Sequence, residues 1–543
     1  MNNYFKKGFK LLVIGLFVVS QHAMAQSSKK VLFNYTIDFS KPQNQTFTVE
    51  LSSAGFPKDT LDFTMPQWMP GYYQIMSYAK QINTIEAKDI KGKALTLTKK
   101  ADNIWQLVLP KNTPFTINYS VTAKRNFVAA AVVDTTHAYV VTTAAFLYVP
   151  EFLQSPVHVK VKTPWKDVAT GLTPVSGKKH EFTAPDFDIL YDCPILSGSL
   201  EELPSFVVGG KKHRFVGYKM GEFDKVRLMN QLQKIIEQAA TLIGDIPYDE
   251  YTFIGIGPGN GGIEHLNNTT VSFTGEKLSN RDVEIKILNF LTHEYFHLYN
   301  VKAIRPIELG PFDYNKENYT SMLWVSEGFT VYYEYLIMVK AGLMEGKDAL
   351  QYLSGSIKKY ENEEGCRHMS LAQSSFDIWS NFFNNESNAK QTTISYYDKG
   401  PTIGLLLDLE IRNNTANKKS LDDVMRFLYN EYFEKKERGF TEDEFWSAAT
   451  EISGKSLQEL KTYVNTTQEI DYQKMLGRLD CKAEDLLMIG NSLKSDVLPV
   501  LNIGGHAVHI PYHTTWEYEK IDFEINHPNF KAFSSLQEVL TLL

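Results

Sequence analysis

The sequence predicts a multidomain α+β protein: an N-terminal all-β, sandwich-like domain, a central and mostly helical domain with a small β-sheet, and a small C-terminal domain. Three observations predict it. From about residue 30 to about residue 200 the chain runs in short alternating apolar and polar stretches separated by Pro, Gly, Asp and Lys clusters. Near Val216 the composition shifts, and apolar residues then recur at helical spacing as far as about residue 470. Beyond that point the pattern changes again. The boundaries read from these shifts are 26–205, 206–470 and 471–543. A length of 543 residues suits three or four domains, and a formal net charge of -7 lacks the basic footprint of a nucleic-acid binder.

The first 25 residues read as a signal peptide. Lys6, Lys7 and Lys10 precede an apolar run from Leu11 to Val19, and Ala23-Met24-Ala25 has the small-x-small form of a cleavage site. The run is short of the roughly 20 residues a membrane span needs, and no later segment is long and apolar enough. The mature chain is expected to start near Gln26 and to be periplasmic or secreted, with no membrane span. Cys193, Cys366 and Cys481 are widely spaced, which permits one disulfide and requires none.

In the β domain, Val31 to Phe39, Thr46 to Leu51 and Phe115 to Val121 alternate as strands. Met65-Pro66-Gln67-Trp68-Met69-Pro70-Gly71-Tyr72-Tyr73 makes a rigid turn whose aromatics either line a cleft or pack a sheet corner. In the central domain, Glu222 to Leu242 reads as an amphipathic helix with Val226, Leu228, Met229, Leu232, Ile235 and Ile236 near one face. Tyr251 to Ile256 and Thr270 to Phe273 read as strands around a glycine-rich loop, 257–265. That loop lacks the Gly-Lys-Ser/Thr ending of a phosphate loop. Leu323 to Tyr333 reads as an apolar helix holding one carboxylate, Glu327, which is costly to bury without a compensating cation. Helical patterns continue through 421–429, 442–449 and 457–463. Val497 to Val508 and Tyr518 to Ile525 read as short strands.

The chemistry concentrates at Leu291-Thr292-His293-Glu294-Tyr295-Phe296-His297, an H-E-x-x-H pattern. Ile287, Leu288, Leu291, Tyr295 and Leu298 give the helix a buried face, and Ser279 with Asp282 resembles a capping box ahead of it. His293 and His297 then sit one turn apart and project together, able to bind one Zn²⁺ at roughly 2.0–2.1 Å. Glu294 lies beside the first ligand, within reach of an attacking water.

Taken together, these stretches resemble the glycyl aminopeptidase family of exported zinc metallopeptidases, gluzincins with a thermolysin-like catalytic domain. The likeness rests on His293-Glu294-Tyr295-Phe296-His297 continuing into Asn300-Val301-Lys302 and Ile304-Arg305-Pro306. It also rests on Trp324 through Gly328, on Gly261-Gly262-Ile263-Glu264-His265, on Tyr397-Asp398-Lys399-Gly400 and on Pro66 through Gly71. The resemblance implies a single zinc per chain held by His293, His297 and Glu327, with Glu334 as the rival third ligand. Glu294 would be the general base and Tyr397 the oxyanion donor, with Tyr396 its competitor. Glu264 would anchor the substrate's free α-amino group, with Gly261 and Gly262 letting the peptide backbone approach. The activity implied is removal of N-terminal residues, such as Gly or Ala, from a peptide substrate. The rivals are a zinc endopeptidase of the same fold and a catalytically dead, peptidase-like surface binding protein. Family members commonly close with a PDZ domain. The segment 471–543 is short for one, so a degenerate or truncated PDZ stands against an unrelated fold. Lys302 and Arg305 read as charged loop residues, and oligomeric state is left open.

Overall fold

A computed structural model describes residues 31–381, 389–474, 484, 487–511 and 520–539. The leader expected at 1–25 and Cys481 lie outside the described residues.

Alternation governs the N-terminal part. Phe33–Asp38 buries Phe33, Tyr35 and Ile37 and turns Asn34, Thr36 and Asp38 toward solvent, the period of a strand with one face on a core. It pairs parallel with Val157–Lys162 and antiparallel with Thr46–Ser53 inside an eight-stranded sheet. A four-stranded sheet built on His137–Val140 and Ile195–Gly198 and a three-stranded sheet built on Thr60–Thr64 and Ile104–Val108 complete this β-rich region. Their buried faces share one aromatic-rich core. Phe33 meets Phe56 and Phe187 edge-on at 5.5 and 4.9 Å between ring centroids, a geometry that adds about 0.5–1.5 kcal/mol per pair beyond area burial.

The next sheet joins the two halves of the molecule. Lys211–Gly217, Glu250–Gly255 and Asn268–Val271 pair in parallel, and Gly262–Glu264 adds an antiparallel edge. Phe215, Phe253 and Val271 face the helical core, whereas Val216, Ile254 and Ile263 face the core of the β-rich region. Burial on both faces explains why Tyr251 to Ile256 reads as an almost unbroken apolar run. The helix Lys225–Ile243 covers one face, capped by Asp224, whose carboxylate accepts from Arg227 N. Leu228, Leu232, Ile235 and Ile236 are buried as expected. Val226 is 57% exposed, because in the first turn it falls on the outer side.

Beyond the sheet the chain is helical: Arg281–Phe296, Phe329–Lys340, Gly346–Asn362, Tyr396–Asn414, Leu421–Leu428, Glu442–Ser453 and Gln458–Asn465. The architecture is therefore multidomain α+β, β-rich first and helical after. In the C-terminal segment Leu487–Gly490, His506–His509 and Phe530–Ala532 pair in parallel. The strand expected across Val497 to Val508 is confined to His506–His509. Leu498–Asn502 is helical, with Pro499 in its first turn, where a missing N–H costs nothing. No strand occurs at 520–525; Tyr518 lies outside the described residues. This parallel pairing lends no support to a PDZ domain.

No described helix is long and apolar enough to cross a membrane. Cys193 is buried and Cys366 half-buried, and both are free thiols.

Candidate active site

The helix Arg281–Phe296 fixes the site's floor. Its cap is Asn280 and not the Ser279–Asp282 box: the Asn280 amide oxygen accepts from Asp282 N at 2.9 Å and Val283 N at 3.2 Å. A short amide side chain one residue ahead of the first turn is well placed for this. Leu288, Leu291 and Tyr295 are fully buried, which locks the helix's rotation. His293 and His297 then project side by side, with their Nε2 atoms 2.9 Å apart.

Glu327 arrives from the far side on a π-helical turn, Trp324–Gly328, that leads into Phe329–Lys340. Such turns often mark functional sites. Its Oε2 lies 3.2 Å from His297 Nε2 and 3.6 Å from His293 Nε2. Nδ1 of His297 donates to Asn300 O and Nδ1 of His293 to Glu334 Oε2, each at 2.8 Å. A neutral imidazole that spends its proton on Nδ1 presents a lone pair at Nε2. Two lone pairs and a buried carboxylate oxygen with no hydrogen-bond donor of its own thus converge on one point. The electrostatics agree. Burial raises the Glu327 carboxyl, but the two imidazoles outweigh burial and hold it well below the usual range. Burial lowers the His293 pKa, yet Glu327, Glu334 and Glu294 push it well above normal. The cluster is short of positive charge, and a divalent cation fits it. Among the described residues it is the one group of three or more His, Cys, Asp or Glu side chains close enough to share an ion.

Sequence reasoning missed the supports of the two imidazoles. Asn300 Nδ2 donates to Val325 O, Ser326 O and Thr330 Oγ1 at 2.8–3.0 Å. One side chain therefore ties the end of the H-E-x-x-H helix to the turn that carries Glu327. Glu334 is not a third ligand at the convergence point; it accepts from the opposite nitrogen of His293. The signal was present in the spacing, because Glu334 lies seven residues, or two turns, after Glu327 on the same helical path.

Glu294 is buried beside this point, with one carboxylate oxygen free of hydrogen bonds. Desolvation lifts its pKa to about 8 against the lowering effect of the two imidazoles, with Glu264 and Glu327 adding to the rise. Gly262 makes room for it: a Cβ there would stand 2.3 Å from its carboxylate carbon. Glu264, two residues on, is 5% exposed, so it is no solvated loop carboxylate. Gly71 of the β-rich region abuts Glu264, and a Cβ on Gly71 would lie 2.7 Å from both oxygens. Gly261 adopts φ +94° and faces Val128.

Tyr397 stands over His293, with ring centroids 6.4 Å apart, whereas Tyr396 is 2% exposed and packed. Tyr397 as a residue is 39% exposed; burial and then the Glu327 charge raise its pKa well above normal. What brings Tyr397 to Glu327 is a glycine in each motif. A Cβ on Gly328 would sit 2.5 Å from Gly400 Cα, so the two backbones touch directly. Lys302 and Arg305 are not solvated loop charges. Lys302 pairs with buried Asp192 at 2.5 Å, and Arg305 lies over Phe312. His265 also bonds Asp192, at 3.1 Å.

Comparison with known proteins agrees with this geometry. Residues 34–199 match the model of the Peptidase M61 N-terminal domain, and residues 286–403 match that of M61 glycyl aminopeptidase. No curated protein sequence matches. Among solved structures, an aminopeptidase N family protein from Idiomarina loihiensis is 29% identical. The match covers 82% of this chain and 78% of that one, with a TM-score of 0.77. An M1 zinc metallopeptidase from Deinococcus radiodurans shares the fold at 12% identity, covering 81% of this chain and 96% of that one, TM-score 0.52. A mutant of that enzyme bound to a Tyr-Ser-Ala substrate gives 12%, 81%, 94% and 0.52. The two family matches together span more than half of the chain, and the chain belongs to the M61 glycyl aminopeptidase family of peptidases.

Proposed function

We propose that the chain is an exported zinc aminopeptidase that removes N-terminal residues, small ones such as Gly or Ala among them, from peptides. The proposed parts are a signal peptide at 1–25, a β domain at 26–205, a catalytic domain at 206–470 and a C-terminal domain at 471–543. The observation that carries the reading is the convergence of His293 Nε2, His297 Nε2 and Glu327 Oε2 beside the buried Glu294 carboxylate. One zinc ion held by those three atoms would supply Lewis-acid chemistry, lowering the pKa of water to around 7 and polarising a carbonyl.

The chain's own residues do the rest. Glu294 takes the proton of the attacking water and passes it to the departing amine, the task of a carboxylate general base. Tyr397 donates its hydroxyl proton to the carbonyl oxygen as negative charge builds there. Glu264 binds the substrate's α-ammonium, which is largely protonated at neutral pH, and so counts off one residue from the scissile bond. Gly261 and Gly262, at the start of the edge strand Gly262–Glu264, let the peptide backbone lie against it. Glu334 and the Asn300 carbonyl accept from the Nδ1 atoms of the two imidazoles, leaving their Nε2 lone pairs free to hold a metal.

Rates on matched free and N-acetylated peptides test the reading. The proposal requires strong preference for the free amine. Equal rates on both would favour an endopeptidase, and no hydrolysis of either by the zinc-loaded protein would favour a binding protein.

A further inference from the structure

A hydroxyl from the β-rich region reaches the same cleft. Met69-Pro70-Gly71-Tyr72 forms a tight turn: Tyr72 N donates to Met69 O at 3.2 Å, and Gly71 takes φ +88°, as the third position of a type II turn requires. The turn is clamped to the helical region. Gln67 N donates to Tyr314 O at 2.8 Å, and the indole of Trp68, itself fully buried, donates to Asp313 O at 2.9 Å. This holds Gly71 against the Glu264 carboxylate.

Two residues after Gly71, Tyr73 is 3% exposed, with its ring edge-on to Trp379 at 5.9 Å. Its hydroxyl is not spent on packing: no hydrogen bond occupies it among the described residues. Burial raises its pKa well above normal, and the Glu327 and Glu264 charges add to the rise. Tyr73 lies two residues from Gly71, whose backbone abuts the Glu264 carboxylate, so Tyr73 approaches the cleft from the Glu264 side, while Tyr397 stands over His293.

We infer that the Tyr73 hydroxyl is a second contact for the substrate's α-ammonium, accepting one of its N–H bonds while Glu264 accepts another. An ammonium has three N–H donors, and once desolvated it needs more than a carboxylate's single face. A phenol oxygen on a buried side chain, with no hydrogen bond among the described residues, is a suitable acceptor. The β-rich region then supplies part of the amine site, which gives the Pro66 to Tyr73 stretch a role beyond packing. The inference rests on the aminopeptidase reading.

The test compares Tyr73→Phe with the parent on glycyl-p-nitroanilide, together with inhibition by glycinamide and by N-acetylglycinamide. A lost hydrogen bond to a charged group should raise KM and weaken glycinamide inhibition by roughly tenfold or more. Zinc content, kcat and N-acetylglycinamide inhibition should stay within about threefold of the parent. Unchanged KM and glycinamide inhibition overturn the inference, as does a loss confined to kcat, which would make Tyr73 a carbonyl donor. If Tyr73→Phe does not fold, Tyr73→Met, also without a hydroxyl, is held to the same two criteria. A parent that binds zinc yet fails to cleave glycyl-p-nitroanilide or any free-amine peptide would instead sink the aminopeptidase reading itself.

Discussion

The two sides of the cleft are built in different ways. On the helical side directed hydrogen bonds hold the imidazoles and the turn: Asn300 alone ties His297's helix to Glu327's turn through three acceptors, and Glu334 fixes His293. On the sheet side, Gly262 yields to the Glu294 carboxylate and Gly71 to that of Glu264, so close backbone approach takes the place of directed hydrogen bonds. The difference teaches a division of labour. On the proposed reading, a metal tolerates little error in ligand geometry, so the side that would hold it is over-determined. A substrate amine would arrive and leave, so the side proposed to bind it needs space held open beside a buried charge.

The comparison makes graded predictions. The largest concerns Glu294→Gln, which should lower kcat about 10²–10⁴-fold while zinc content and melting temperature hold; undiminished turnover would remove Glu294 from the mechanism. Tyr397→Phe should cost about 10²–10³ in kcat with KM little changed, and the same loss from Tyr396→Phe instead would exchange the two assignments.

Asp192 marks where the contrast stops, because behind the sheet side it makes directed bonds to Lys302, His265 and the backbone of Leu266. Burial raises its carboxyl, but Lys302 and then His265 outweigh burial and bring it down to about 2. A folded pKa below the unfolded value adds stability that is complete above about pH 4 and is lost as pH falls toward 2. Asp192→Asn should therefore cost about 2–3 kcal/mol at pH 7 and flatten the acid limb between pH 4 and 2, as read by urea unfolding across pH. An unchanged acid limb would deny Asp192 this role.

Glu334→Gln should weaken zinc affinity about 10–100-fold, measured by chelator competition; a variant that binds zinc as tightly as the parent would show that His293 needs no carboxylate behind it. The smallest effect should come from Gly71→Ala. Its Cβ would crowd the Glu264 carboxylate at an unfavourable φ, a strain of about 1–3 kcal/mol. The expected outcome is a several-fold narrower preference for free over acetylated peptides, with zinc retained. Loss of zinc instead would mean that the two sides are not separable.

How much was legible in the sequence follows the same division. His293, Glu294 and His297 declare themselves because helical period and ligand chemistry coincide in five residues. Glu327 was readable as a carboxylate in an apolar helix. The β-rich region was readable from alternation, as in Phe33–Asp38. The supports were less so, although the two-turn spacing of Glu334 from Glu327 was there to read. Asn300 acts through its backbone oxygen and a buried amide, which leave no pattern, and Glu334 looked like a competing ligand until its partner nitrogen was seen. Gly71 and Gly262 matter through long-range approach, which local spacing does not encode. The caps misled by one residue because Ser279 and Asn280 are both good caps and only the turn's geometry chooses between them.

The most direct test of the account is elemental analysis of the purified protein, paired with hydrolysis of free-amine peptides before and after chelation. The account predicts one zinc per chain, activity abolished by chelator and restored by added zinc, and neither zinc nor activity in a His293→Ala, His297→Ala double variant. Full activity in a preparation with no bound cation would contradict it.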